Sequence, residues 1–325
     1  MTPRSLLVSS VLGLSIASPA ANCADAAPNG FPDRPIRFIV PFPPGGSNDV
    51  LSRFIGVKLT DRIGTQIVID NRAGANGIIG TDLAAHTTPD GYTILMVSTS
   101  YVMNAAVRKL PYDVVKSFDP VATIGSSPNC IVVNTDFVKS VSELVERAKA
   151  KPASIFYAST GIGGFNHFGG ELFKKVAGVN LVMVPYKGGG PAMTDVMGGQ
   201  VPMMFSSVTQ VLPHARSGRL RVLAVGGSKR SAALPDVPTV AETGYPGYEV
   251  YVWWGIVTPA GVPRAIREKL RHGITAVLED PETLRFLARE SAEPMRLEPA
   301  AFRKMIQDDV KKWTVVAKQA QIKME

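Results

Sequence analysis

Cysteine and histidine are scarce in this chain. Two cysteines, Cys23 and Cys130, and four histidines, His86, His167, His214 and His272, are spread over 325 residues. No histidine stands in metal-ligand spacing with another or with a cysteine, and no H-E-x-x-H occurs, so no metal site is expected. Aromatic residues make up 7% of the chain, and the basic residues are dispersed rather than gathered into a patch with stacking rings, which argues against nucleic acid. No G-x-S-x-G nucleophile elbow is present, and no glycine stands at Walker spacing ahead of a Lys-Ser or Lys-Thr pair.

The opening stretch MTPRSLLVSSVLGLSIASPAANCADA places Arg4 before an apolar run too short to span a membrane and closes on small residues. That is the layout of a secretory signal peptide, with cleavage expected after Ala26 and processing after Ala21 as the alternative. Cys23 raises lipidation, but Ala20-Ala21-Asn22 is a poor acylation context, and soluble export is the expectation. Cleavage after Ala26 leaves Cys130 alone, so the exported chain is expected to hold no internal disulfide and to depend on packing.

With 45% hydrophobic and 19% charged residues, the chain has enough apolar content for one large core or two moderate ones. Lys plus Arg exceed Asp plus Glu by 35 to 27, a net charge of +8, which mildly favours anionic partners.

Short apolar runs at 36–40, 65–69, 92–97, 130–134, 154–158, 181–186, 202–206 and 220–225 predict strands buried on both faces of a mostly parallel sheet. Helical patterns alternate with them. Leu51, Phe54, Ile55, Leu59 and Ile63 share one helix face, and Ser140 with Glu143 has capping-box spacing. Further helices are predicted near 263–279, 281–290 and 299–319, giving an α/β fold. Turn-rich stretches at Gly125 to Asn129 and at Gly226 to Ser228 suggest a doubled boundary between two lobes. Periodicity alone also allows two lobes consecutive in sequence.

Four turns look chemically loaded: PFPPGGSND at 41–49, NRAGANGIIG at 71–80, STGIGGFNH at 159–167 and PYKGGGPA at 185–192. Each follows a predicted strand and opens a predicted helix, at the strand end where open α/β sheets bind ligands. Free amides of a helix start, approached over glycine, suit a carboxylate or phosphate. Any one of these turns can equally be a tight connection that needs glycine and proline for its own geometry. For 71–80 that plainer reading is kept, because Gly74, Gly77 and Gly80 are spaced for helix-to-sheet packing. In 41–49, Ser47, Asn48 or Asp49 is expected to cap the helix, with Asp49 bracing the turn rather than meeting an anion. STGIGGFNH lacks the third glycine of a dinucleotide fingerprint, since Asn166 stands there, and no cofactor is expected. His167 reads as a helix-capping or scaffold residue, with a general base as the alternative. Ser98, Thr99 and Ser100 either donate hydroxyls to a ligand or cap the next segment, while Trp253 and Trp254 read as core or hinge packing.

FPDRPIRFIVPFPPGGSNDVLSR, NRAGANGIIG, PDGYTILM, LPYDVVKSFDPVATIG, VPYKGGGPAMTDVMGGQVPMMFSSV, SGRLRVLAV, SKRSAALPDVPTVAETGYPGYEV and WWGIVTPAGVP follow one another along nearly the whole exported chain. In these ordered blocks it resembles the periplasmic substrate-binding receptors of tripartite tricarboxylate transporters, often called Bug proteins after Bordetella. The resemblance implies a type II periplasmic-binding-protein fold, the Venus flytrap, with two mixed-sheet lobes and a hinge. On that plan residues 1–26 are the signal peptide, 27–127 plus 227–325 form lobe one, and 128–226 form lobe two.

What the resemblance further implies is a periplasmic receptor without enzymatic activity. It would capture a small organic carboxylate in the interlobe cleft and deliver it to a membrane permease, acting as a monomer. The turn at Pro43 to Ser47, with Pro44, Gly45, Gly46 and Ser47, and the turn at Thr160 to Gly164, with Thr160, Gly161, Gly163 and Gly164, would act as pincers on one ligand carboxylate, and Phe42 and His167 would border the ligand beside them. Ser98 and Thr99 would line the first lobe, and Tyr186, Lys187 and Ser206 would shape the rest of the ligand from the second. Two departures stand out. Gly164 replaces a common serine, and Ser206 follows Phe205 where many members carry an aspartate that matches an α-amino group. The second departure points away from an amino acid ligand and toward a di- or tricarboxylate or an aromatic carboxylate. Two other readings stay open: an exported sensor that docks on a membrane histidine kinase, and an exported hydrolase using Ser47 or Thr160 with His167.

Overall fold

Strand and helix alternate from the first described element as far as Val225. The computed structural model describes residues 30–322; the expected signal peptide at 1–26, with Cys23, lies outside the described residues. The chain runs β1 (Ile36–Val40), α1 (Ser47–Ile63), β2 (Ile67–Asn71), α2 (Ile78–Ala85), β3 (Thr93–Ser98), α3 (Thr99–Val107) and β4 (Phe118–Asn134). It continues with α4 (Val141–Ala150), β5 (Phe156–Ser159), α5 (Phe165–Ala177), β6 (Val182–Pro185), α6 (Gly189–Met197), β7 (Met203–Ser207), α7 (Val208–Arg216) and β8 (Leu220–Val225). The remainder is β9 (Tyr251–Pro259), α8 (Arg264–Glu279), α9 (Pro281–Arg289), β10 (Glu293–Pro294) and α10 (Pro299–Gln319).

The strands make two mixed sheets that share β4. In the first, β1 lies parallel to β2 and β3, then β9 runs antiparallel between β3 and β4, and β10 adds to β4. In the second, β4 pairs antiparallel with β7 and β8, and β5 lies parallel to β6 and β7. The exchange of partners is abrupt: Pro128 faces Tyr251 of β9, and Asn129 faces Ser207 of β7. The two sheets form the two lobes of a type II periplasmic-binding-protein fold, and β4 is a strand of its hinge.

The predicted turn at Gly125 to Asn129 is not a turn. These residues continue β4, and their composition has a different cause. A side chain at Gly125 would lie 2.7 Å from the Glu293 carbonyl, so glycine lets β10 approach. Pro128 lacks a donor at the last rung before the partner changes, where a proline costs least. Sequence reasoning also left β9 without a strand, although Trp254 is fully buried in it and Trp253 nearly so.

Local signals elsewhere hold. Leu51, Ile55 and Leu59 are buried on one face of α1, and Phe54 stacks on Phe286 with ring centroids 3.8 Å apart. Ser140 caps α4, accepting from the Glu143 amide at 3.1 Å, while Glu143 reaches back to the Lys139 amide; such a cap contributes about 1 kcal/mol. Cys130, the only described cysteine, is buried and free. At the far end α10 crosses to the second sheet's lobe, where Trp313 meets Phe168 edge-on at 5.3 Å.

Candidate functional site

The first turn leaves its helix uncapped. Gly46 is the N-cap of α1 and no side chain caps it, so Ser47, Asn48 and Asp49 are helical residues rather than the expected cap. Asp49 instead braces the turn from behind. Its carboxylate accepts from the Gly45 amide at 3.0 Å, from Asn71 at 2.9 Å and from Arg53. Burial by itself would raise the Asp49 pKa, but the hydrogen bonds from Arg53, Gly45 and Asn71 outweigh it and hold the carboxyl below its usual value. An ionised brace thus faces away while the first amides of α1 stay available.

The same lack of a side-chain cap recurs at α3 (N-cap Ser98), α5 (Gly164) and α6 (Gly188). Residues from the starts of five helices meet around one cavity of about 40 Å³. Gly46, Ser47 and Asn48 come from α1, Ser98 and Ser100 from α3, Phe165 and Asn166 from α5, Gly189 from α6, and Ser207 and Gln210 from α7. Phe42, Pro43, Thr160, Ser206 and Val252 complete the wall, which carries no charged side chain. Each helix start presents roughly half a positive charge, so the cavity is electropositive without a lysine or arginine. A ligand of several carbons is larger than this space and must enter with the lobes further apart.

Contacts between the lobes close over the cavity. Thr160 Oγ1 donates to Asn76 Oδ1 at 3.0 Å, and the Asn76 amide is held in turn by Asn104, with Nδ2 donating to Asn104 Oδ1 at 2.9 Å. The Phe165 amide donates to Ser100 Oγ at 3.2 Å, and Arg108 donates to the Ile162 carbonyl at 3.1 Å. Gly188, at φ +155°, comes so near that a side chain there would fall 2.3 Å from Pro43 Cγ, a position only glycine fills.

Of the residues expected from sequence, Phe42, Gly46, Ser47, Ser98, Thr160 and Ser206 stand together on the cavity wall. The others lie elsewhere. Pro44 offers its carbonyl toward Gly190, and the Gly45 amide is engaged by Asp49. Thr99 Oγ1 accepts from the Trp253 amide at 2.8 Å, tying α3 to β9. Gly161 has open space around it, whereas Gly163 packs against Val107 and Asn104 of α3. Gly164 lies beneath the closing contact: a side chain there would sit 2.5 Å from Thr160 Oγ1 and 2.8 Å from Asn76 Oδ1. The absent serine of the second turn is therefore matched by Asn76, which occupies that space.

His167 is buried under the second turn and does not line the cavity. Its Nδ1 accepts from the Gly163 amide at 3.2 Å, and Nε2 lies 3.7 Å from Glu171. Burial lowers its pKa, partly opposed by Glu171. Tyr186 donates to Asp195 at 2.7 Å, and Lys187 is exposed; neither is on the wall. Sequence reasoning missed Phe165, Asn166, Gly189, Ser207, Gln210 and Val252 on the wall, and Asn76 at the closure. Asn76 sits in a stretch read only as helix packing, a role that Gly80 does fill, since a side chain there would lie 2.5 Å from the Arg72 carbonyl. No group of three or more His, Cys, Asp or Glu side chains able to hold a metal occurs among the described residues, and no described helix is long and apolar enough to cross a membrane.

Two sheets sharing a hinge strand, closed over an uncharged cavity of helix starts, define a two-lobed solute-binding protein. Residues 51–322 match the family described as tripartite tricarboxylate transporter family receptor. The protein BugT of Bordetella pertussis is 36% identical over 319 residues, covering 97% of this chain and 98% of its own. Among solved structures, the periplasmic binding protein BugD superposes with a TM-score of 0.88 at 33% identity over 91% of this chain and all of its own. R. palustris Rpa4515 with adipate gives a TM-score of 0.87 at 33% identity over 90% of this chain and 99% of its own. The chain belongs to the tripartite tricarboxylate transporter receptor family, a family of solute-binding receptors.

Proposed function

We propose that this protein is an exported receptor that captures a small organic carboxylate between its lobes and delivers it to the membrane permease of a tripartite transporter. The observation that carries this reading is the cavity wall itself. Uncapped helix starts and hydroxyls converge on it, and it offers no acidic group to pair with a ligand cation and no base to start a reaction. The adipate held by a relative of the same fold supports the same ligand class.

On this reading lobe one comprises 27–127 plus 227–325, and lobe two comprises 128–226. The partner exchange of β4 at Pro128 and Asn129 supports one crossing; the Gly226 amide on the Asn129 carbonyl supports the other. The first turn binds the carboxylate in the open form through the amides of α1. Closure then adds the start of α5 and the lobe-two hydroxyls, so the ligand binds the closed form better and shifts the hinge equilibrium toward it. Each charge-assisted hydrogen bond contributes about 1.5 to 3 kcal/mol, and several in a dehydrated cleft support micromolar affinity. The permease recognises the closed pair of lobes. The mechanism involves no bond making or breaking in the ligand.

Calorimetry against a panel of mono-, di- and tricarboxylates tests the reading, run before and after unfolding and refolding to strip any carried acid. Saturable binding of at least one acid is expected. Absence of binding in both preparations would sink the proposal, and co-purification with a histidine kinase instead of the permease would redirect its partner.

A further inference from the structure

Two buried side-chain atoms on the cavity wall have no hydrogen-bond partner: Asn48 Oδ1 in the first turn of α1, and Gln210 Nε2 in the first turn of α7. They face the cavity from opposite lobes. Asn48 stands among the amides assigned to the first carboxylate. Gln210 stands on the lobe-two side of the wall, where Ser206 and Ser207 contact it. Its backbone amide donates to the α7 cap, Ser207 Oγ, at 3.3 Å. Its Oε1 accepts from Ser206 Oγ at 3.1 Å. With the carbonyl oxygen occupied by Ser206, Nε2 is left as a donor, and the whole amide end stands beside Gly189, where a side chain would lie 2.6 Å from both Nε2 and Oε1. A buried donor without an acceptor is costly, and a ligand oxygen delivered there on closure removes that cost.

Building on the carboxylate-receptor reading, we infer that Gln210 determines specificity for the far end of the ligand. Its Nε2–H takes a second oxygen acceptor, a carboxylate or carbonyl oxygen. The ligand is therefore an acid with a second anionic or carbonyl group, and not a monocarboxylate or an amino acid. The wall supports this selection in two ways. It has no carboxylate to pair with an ammonium, and Ser206 is turned toward Gln210, holding the amide in place rather than serving the ligand alone. Gln210 is a neutral donor on a helix start, so it accepts a second negative charge without a buried cation that would bind chloride or phosphate in its place.

The test uses the full exported chain and calorimetry with succinate, glutarate and adipate, each set against the straight-chain monocarboxylate of the same carbon count. The parent protein is expected to favour at least one diacid over its partner by about tenfold or more, the worth of one good buried hydrogen bond to a charge. Gln210→Leu should remove that preference while leaving monocarboxylate affinity within about twofold. Gln210→Glu keeps the size and the Ser206 contact; it should weaken the diacids further and admit the ω-amino acid of matching length. This variant carries the test if the leucine protein fails to fold.

Equal binding of diacid and monoacid by the parent would overturn the assignment, as would an unchanged diacid preference in Gln210→Leu, or tighter binding of an ω-hydroxy acid than of the diacid. These outcomes leave the receptor reading intact, because the acids still bind. Failure of every acid to bind the parent overturns both.

Discussion

Asn76 Oδ1 accepts a hydrogen bond from Thr160 Oγ1 at 3.0 Å, joining the approach to α2 in one lobe to the turn before α5 in the other. The bond exists only while the lobes are together. Thr160 has Asn166 Oδ1 at 3.2 Å as its alternative acceptor within its own lobe, so parting the lobes leaves the hydroxyl with a partner. Such a contact biases closure at little cost to the open form.

Thr160→Val should therefore lower ligand affinity about three- to tenfold, the worth of one neutral hydrogen bond, through faster dissociation. The ligand-free melting temperature should fall by no more than the worth of the Thr160–Asn166 hydrogen bond, which valine also removes. Stopped-flow release of a bound diacid checks the rate. An unchanged dissociation rate would mean that the contact does not hold the closed state.

Gly46→Val probes the first turn. A side chain at Gly46 meets nothing nearer than the Pro43 carbonyl at 4.0 Å, and the backbone there is extended at φ −86°, so the variant should fold as the parent does. The added methyls project into the cavity where the α1 amides are free. Affinity should fall by about a hundredfold or more, as expected for the loss of two charge-assisted bonds. Calorimetry alongside a melting curve separates blocked binding from misfolding.

His167 sets a pH dependence. Burial depresses its pKa below the ordinary 6.5, so the unfolded chain takes up the proton first as pH falls. The neutral imidazole's contribution is complete above pH 6.5 and is lost as pH drops through the lower, folded-state value. Protonated Nδ1 can no longer accept from the Gly163 amide, which loosens the second turn. Melting temperature should decline as pH falls below about 6.5, with a slope reduced in His167→Gln. Equal slopes in parent and variant would assign the decline to other groups.

Asp309 is half-buried beside Trp253, whose indole Nε1 donates to its Oδ2 at 2.7 Å. Burial raises the carboxyl pKa above 3.8, with the tryptophan bond and Lys312 opposing. The cost of ionising it in place is absent at low pH and grows as pH rises from 3.8 through the raised folded value. Asp309→Asn keeps an acceptor for the indole and removes the charge, so it should equal or exceed the parent in stability at neutral pH. Asp309→Leu strands the indole donor and should cost about 1 to 3 kcal/mol. Denaturant titration of both variants distinguishes these outcomes.

Much of the architecture is legible along the chain because it is local. Ile36 to Val40 is an apolar run at strand length, Leu51 to Leu59 repeats at helical spacing, and Ser140 with Glu143 marks a helix start; each signal is complete within a few residues. The misread stretches are those whose residues answer to distant partners. Gly125 is glycine because Glu293 packs on it, and Pro128 is tolerated because β4 changes partners there. Both looked like turn residues when read against neighbours alone.

The site divides in the same way. Glycine-rich turns after strands already announce helix starts open to close approach, because φ/ψ freedom is a property of the turn's own residues, whereas the missing cap at Gly46 was not legible there. Which starts meet depends on how β9 inserts between β3 and β4 and how β4 joins both sheets, pairings made over 70 positions or more. That arrangement brings Gly46, Thr160 and Gln210 to one cavity, sends Lys187 to solvent and puts Asn76 where a serine side chain at residue 164 would need to be. Local chain chemistry decided that these turns suit an anion, and long-range strand pairing decided which of them meet, since only packing sets the distance between groups far apart in sequence.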